Sequence, residues 1–322
     1  MDVLEFCRAM PKVELHVHLE GSIRPETVLS LAKKNNIALP ADTVEGLREW
    51  YVFRDFPHFV EIYVSVSNCI KSPEDIEFIA REFLVGQKDQ NILHSEVTYT
   101  ASTIEKLAGI PFDEQMDALN RAMDWGKKEL GISMGLIIDI VRGVSGDSAL
   151  GLAENVVRHK DRGICALGIA GEEILGEVPH YADAFRAVQN AGIPIIPHAG
   201  EIAGPEIIWE ALEFTQCKRI GHGLRCLEDD SLVEHLVENQ IVLEVCPSSN
   251  VCLAGVKSIA DHPVRQMRER GIKVTINSDD PPMFNTTLSE EYARCAVAFG
   301  WNEADLEALT ETAQNSSLAC HA

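Results

Sequence analysis

The chain is expected to fold as an α/β protein of the (β/α)8 TIM-barrel class, on three observations. Eight short apolar or β-branched runs alternate with longer segments of helical period, the pattern of a parallel sheet with crossover helices. No GxGxxG follows an early strand, so an open doubly wound sheet is the weaker reading. The residues best suited to chemistry stand at the ends of the apolar runs, where a parallel barrel gathers its loops.

The expected strands are Val13–His18, His94–Tyr99, Met134–Ile140, Cys165–Ile169, Ile193–Pro197, Arg219–His222, Ile241–Val245 and Lys273–Asn277. Helical period is read over Thr27–Asn35, Glu74–Gln87, Phe112–Leu130, Leu150–His159, Tyr181–Asn190, Pro205–Phe214, Asp230–Asn239 and Pro263–Arg270. Arg162-Gly163, Ala191-Gly192 and Arg270-Gly271 supply stop signals before the next strand. The 322 residues read as a single domain, since no linker or low-complexity tract divides them. The chain ends soon after Asn315-Ser316-Ser317, short of an expected further helix.

One stretch breaks the rhythm. The first two strands are separated by more than one helix and a turn require, which predicts an insert of short helices. Trp50, Tyr51, Phe53, Phe56, Phe59 and Tyr63 in that insert are six of the chain's twenty aromatic residues. Two readings stay open: a hydrophobic anchor for the insert itself, or a lid whose aromatic face walls a planar ligand.

Composition narrows the partners. An apolar share of 46% and a mean hydropathy of −0.03 describe a globular protein with a sizeable core. Lys and Arg number 28 against 50 Asp and Glu, a net charge of −22, which repels phosphate backbones and anionic lipid. Nucleic acid and membrane partners are therefore not expected. Nine cysteines without a CxxC pair point to free thiols in a reducing compartment. The N-terminal MDVLEFCRAMPKVEL has no long apolar core, and the most apolar stretch, Ile132 to Val141, is interrupted by an aspartate. A cytoplasmic location is expected; the oligomeric state is left open.

His16 and His18 close the first strand. Side chains alternate along a strand, so the two imidazoles project to one side as a metal pincer. An HxH triplet alone is weak, and any one of eleven histidines is more often a core or surface residue than a ligand; His94 and His262 are placed in that class. Three further segments follow apolar runs: His198-Ala199-Gly200-Glu201, Gly221-His222-Gly223 and Ser278-Asp279-Asp280-Pro281. Taken singly, HAGE could be a helix entry and SDDP a turn. At matching strand ends of one barrel they converge, and three imidazoles with a carboxylate suit zinc.

These segments give the chain its resemblance to a known family. PKVELHVHLEGSI, GIAGEE at Gly168–Glu173, HAGE, RIGHG, EVCPSSN at Glu244–Asn250 and VTINSDDPPMF at Val274–Phe284 occur in the order and spacing of the adenosine/adenine deaminase family of metal-dependent amidohydrolases, which the chain resembles over nearly its whole length. The HxE and PCxxC pattern of cytidine-type zinc deaminases is missing. The resemblance implies one zinc ion on His16, His18, His198 and Asp279, and hydrolytic deamination of a 6-aminopurine nucleoside with release of ammonia. It implies that Glu201 protonates ring N1, that His222 accepts or orients the proton of the attacking water, and that Asp280 bonds that water and the purine edge. The substrate side is assigned to His18, Glu20, Gly171 and Asp280, with the Gly171 N–H on purine N3.

Two positions bear on the substrate. Glu20 stands where adenosine-specific relatives often carry an aspartate that meets the ribose 5′ end. Ala170-Gly171 keeps the nucleoside-type loop that relatives acting on free adenine usually replace with polar residues. Together they suggest a nucleoside with an altered 5′ group, 6-amino-6-deoxyfutalosine among them. Free adenine as substrate, a catalytically silent nucleoside-binding barrel, and hydrolysis of another amide or amidine are the alternatives.

Overall fold

A computed structural model describes residues 2–174 and 176–318. The strands are β1 (Lys12–His18), β2 (Ile92–Tyr99), β3 (Ser133–Val141), β4 (Ile164–Ala170), β5 (Ile195–Ala199), β6 (Arg219–His222), β7 (Val242–Val245) and β8 (Lys273–Ile276). They pair in sequence order, all parallel, with helices between them, as the alternation predicts for a (β/α)8 barrel.

Buried polar groups close the ring between β1 and β8. The His18 N–H donates to the Asp279 carbonyl at 2.9 Å, and the Asp279 N–H donates to the His16 carbonyl at 3.1 Å. Lower down, Leu15 N–H donates to Asn277 Oδ1 at 3.0 Å. The buried Glu14 carboxylate accepts from the Ser278 hydroxyl, the Ser278 N–H and Gln87 Nε2. Closing the barrel thus carries His16, His18 and Asp279 to one place.

Most elements lie within two residues of expectation. The fifth strand is the informative case: both its ends lie two residues later than expected, at Ile195–Ala199 and not Ile193–Pro197. Ile193 N–H is spent on the Val188 carbonyl at the preceding helix end, and Pro194 has no N–H to give. Pairing therefore starts with Leu167 opposite Ile195, and His198 lies inside the strand. The expected Phe112–Leu130 helix is α-helical to Trp125 and ends in a wider π-type turn over Gly126–Leu130. Helices the periodicity missed occupy Val3–Ala9 and Ala101–Ala108. Two more, Leu288–Phe299 and Glu303–Ser316, follow β8, and the second packs on β1 and β8.

The insert after β1 contains the helices Val44–Trp50 and Phe56–Ser67. Tyr51 is buried in the core, whereas Phe56, Phe59 and Tyr63 of the second helix line the cleft at the barrel mouth. Phe59 stacks on Phe284 with ring centroids 5.5 Å apart, tying that helix to the loop after β8. Among the described residues no helix is long and apolar enough to cross a membrane, and the eight cysteines form no disulfide.

Candidate active site

β1, β5 and the turn after β8 deliver four side chains to one point. The ligand-capable atoms of His16, His18, His198 and Asp279 all lie within 4.8 Å of one another, and all four residues are buried. Asp279 Oδ1 is 3.4 Å from His16 Nε2 and 3.3 Å from His18 Nε2, and the Nε2 atoms of His18 and His198 are 3.2 Å apart.

The outer nitrogens explain why the inner ones face each other. His16 Nδ1 bonds Glu244 Oε2 at 3.0 Å, and His198 Nδ1 bonds the Ile169 carbonyl at 3.1 Å. Both partners only accept, so Nδ1 carries the proton and the Nε2 lone pair points inward. That is how metal-binding imidazoles are held. His16 Nε2 is buried without a hydrogen-bond partner, as a lone pair reserved for a cation would be. Charge agrees. Burial alone would lower the two β1 imidazoles, but the nearby carboxylates, Asp279 and Glu244 on His16 and chiefly Asp280 and Asp279 on His18, raise them to about 9 and about 10. A site that pulls this hard on protons fits a divalent cation.

His222 sits at the end of β6 beside this cluster, with Nε2 3.6 Å from Glu201 Oε2 and 4.0 Å from Asp279 Oδ2. Its proton can be placed by working inward from a backbone donor. Val264 N–H donates to His262 Nδ1 at 3.0 Å, so the proton of a neutral His262 is on Nε2. His262 Nε2 is 3.1 Å from Asn250 Oδ1, which leaves the Asn250 amide to donate to His222 Nδ1 at 3.3 Å. His222 therefore accepts at Nδ1 and presents Nε2–H to the site. Burial lowers both imidazoles to about 3, so the neutral forms prevail.

Glu201 is held by a neighbour the motif reading passed over. The carboxylate of Glu173, from the loop after β4, accepts the consecutive N–H groups of Glu201, Ile202 and Ala203 at 3.2, 2.9 and 2.6 Å. Burial pushes the Glu201 carboxyl well above its ordinary range, and the charges of Asp279 and Glu173 add to the shift. Burial does the same to Asp280, reinforced by Asp279, and Asp280 Oδ1 has no hydrogen-bond partner.

Backbone strain aims two of these residues. His222 and Asp279 adopt φ of 63° and 64°, the left-handed region that few non-glycine residues enter. Close approach matters at Gly21, where a Cβ would lie 1.5 Å from Asp280 Oδ1. No sequence period signals either feature.

A cleft opens over the cluster and brings nearly every expected residue to one surface: His18, Gly171, His198, Glu201, His222, Asp279 and Asp280 all line it. His16 lies beneath it as part of the cluster. Glu20 is elsewhere. It is 1% exposed, off the cleft lining, and its carboxylate accepts from Thr100 N–H at 2.9 Å and the Tyr63 hydroxyl at 3.2 Å. Asp139, which the sequence shows only as an interruption of the apolar run of β3, does line the cleft.

Comparison with known proteins agrees with this arrangement. The adenosine deaminase family description matches residues 11–321. An adenine deaminase of Pseudomonas putida is 35% identical over 314 residues, covering 98% of this chain and 99% of the relative. An aminodeoxyfutalosine deaminase of Streptomyces avermitilis is 36% identical over 323 residues, covering 98% and 88%. The crystal structure of an adenine deaminase from Arthrobacter aurescens superposes with a TM-score of 0.90 at 30% identity, covering 95% of this chain and 93% of that one.

Proposed function

The chain belongs to the adenosine deaminase family of hydrolytic deaminases, and we propose that it deaminates a 6-aminopurine nucleoside using one zinc ion held by His16, His18, His198 and Asp279. The observation that carries this reading is the meeting of that four-residue cluster with Glu201, His222 and Asp280 on one cleft. When bound there, zinc supplies Lewis acidity and lowers the pKa of a water.

The remaining work falls to the chain. Glu201, kept protonated by burial, donates to ring N1 and makes C6 electrophilic. Asp280, with a free oxygen, accepts the proton of the water that adds to C6 in its ionised form, which a cation held by Asp279 would favour by offsetting the charge that raises this carboxyl. His222 holds the incoming oxygen through Nε2–H, so of the two roles open to it, orienting is favoured over accepting. Asp280 then passes that proton to the exocyclic nitrogen, the new C6 hydroxyl returns its own to Glu201, and the C6–N bond breaks as ammonia leaves. The aromatic helix over the cleft limits water beside a flat base.

For the substrate, the Ala170-Gly171 loop supports a nucleoside. It meets the cleft with backbone and a methyl group, and Gly171 at φ 102° adopts a conformation open to glycine. A 5′-modified adenosine such as 6-amino-6-deoxyfutalosine falls within this class and is the substrate named in one relative. Free adenine is the second reading, favoured by the adenine deaminases among the relatives. Ammonia release from adenosine, 5′-deoxyadenosine, 6-amino-6-deoxyfutalosine and adenine decides between them. The nucleoside reading expects ribosides to exceed adenine in kcat/KM, and a best rate with free adenine overturns it.

A further inference from the structure

Two carboxyl groups lie close to the substrate cleft on the side of β2 and β3, and they differ in one respect. Glu20 is 1% exposed and both its oxygens are bonded, to Thr100 N–H and the Tyr63 hydroxyl. Asp139 is 2% exposed, lines the cleft, and has a buried Oδ1 with no partner. It stands on β3 opposite Gly168 of β4, on a strand that contributes none of the four clustered residues, and shares the cleft lining with His18. Of its two oxygens, Oδ1 is the buried acceptor left without a hydrogen bond. A buried acceptor without a donor costs stability, so such a group on a cleft wall is suited to a ligand that brings a donor.

The lining adds a second constraint. It contains Asp139, Glu201, Asp279 and Asp280, with Glu20 just behind, and no lysine or arginine among the described residues. A phosphate on this wall would find no guanidinium or ammonium to neutralise it.

Building on the nucleoside reading above, we propose that Asp139 reads the sugar: its free oxygen accepts a hydrogen bond from a ribose hydroxyl, and the acidic wall it belongs to excludes nucleoside phosphates. Glu20, fully bonded, is then a support for Tyr63 and Thr100 and not itself the sugar contact. Asp139 acts on binding, so its loss is felt mainly in KM.

The test compares wild type, Asp139→Ala and Asp139→Asn on adenosine, its 2′-, 3′- and 5′-deoxy analogues, adenine and AMP, with metal content and thermal unfolding checked for each protein. Wild type should lose roughly tenfold or more in kcat/KM on one deoxy analogue and should leave AMP unreacted. Asp139→Ala should lose a similar factor on adenosine but none on that same analogue, the signature of a shared contact. Asp139→Asn keeps an acceptor, so it should restore much of the adenosine rate.

Equal losses on adenosine and every deoxy analogue in Asp139→Ala would overturn the proposal. So would AMP turnover by wild type comparable to adenosine. If the variants fail to fold, the wild-type ladder still decides: indifference to all three hydroxyls refutes a sugar contact. Free adenine outperforming every riboside would instead refute the nucleoside reading. Loss confined to Asp139 variants acting uniformly, with adenosine still preferred, refutes this inference alone.

Discussion

His16 and His198 differ from His222 in what stands behind the ring, although all three imidazoles border one cluster. Behind His16 and His198 are pure acceptors, Glu244 Oε2 and the Ile169 carbonyl. Behind His222 is a donor, the Asn250 amide, fixed in turn by His262 and the Val264 N–H. The same side chain is thereby prepared for opposite tasks: an inward lone pair in the first two, an inward N–H in the third. Ring type and strand position do not separate a metal ligand from a group that handles the water; the partner of the far nitrogen does.

The comparison breaks most visibly at the ligand histidines. His16→Ala and His198→Ala should each lose bound metal and lower turnover by more than ~10³-fold, measured by metal analysis alongside ammonia release. Retained stoichiometric metal in either variant would remove that residue from the proposed ligand set. Next in size is the acid. Glu201→Gln keeps shape and metal but cannot deliver the N1 proton, so kcat should fall at least ~10²-fold. An unchanged rate would assign the proton to another group.

The tautomer assignment is tested by Asn250→Asp. A carboxylate there accepts from both His262 and His222, forcing the His222 proton onto Nδ1 and turning a lone pair toward the substrate. Metal should stay bound while kcat falls ~10–100-fold, and imidazole nitrogen NMR should report the switch. A lost rate without a tautomer change would make Asn250 merely structural.

The smallest effect concerns the support of His16. Glu244 is itself fixed by Arg219, whose guanidinium also pairs with Glu96, at 2.6 and 2.5 Å respectively. Burial pushes Glu96 up, but the charge and hydrogen bonds of Arg219 outweigh it and hold the carboxyl at about 2 against an ordinary 4.5. Its folded-state pKa is depressed, so its contribution to stability is present above about 4.5 and is lost as pH falls toward about 2. Denaturant unfolding should show a steeper loss across that window in wild type than in Glu96→Gln. Equal slopes would show that this carboxyl carries no linkage.

Much of this was legible in the sequence, for identifiable reasons. The period-two spacing of His16 and His18 survives any shift in strand boundaries, and the alternation of apolar runs with helical segments needs no side-chain detail. His198, Glu201, His222, Asp279 and Asp280 stood out because each follows an apolar run. What stayed hidden depends on contacts between distant segments or on backbone strain. Asp139 lies in the middle of GLIIDIV, where a polar residue reads as an interruption of a strand. His262 was set aside as structural, yet it fixes the His222 proton through Asn250. The left-handed backbone at His222 and Asp279 and the approach of Gly21 to Asp280 exist only once the barrel closes.

The most direct measurement is ammonia release from adenosine and from adenine by the purified protein carrying one equivalent of zinc, by the same protein stripped and verified metal-free, and by the stripped protein after zinc is restored. The account predicts turnover with zinc, none without it, recovery on restoration, and adenosine preferred over adenine. Full activity in the verified metal-free protein would contradict it.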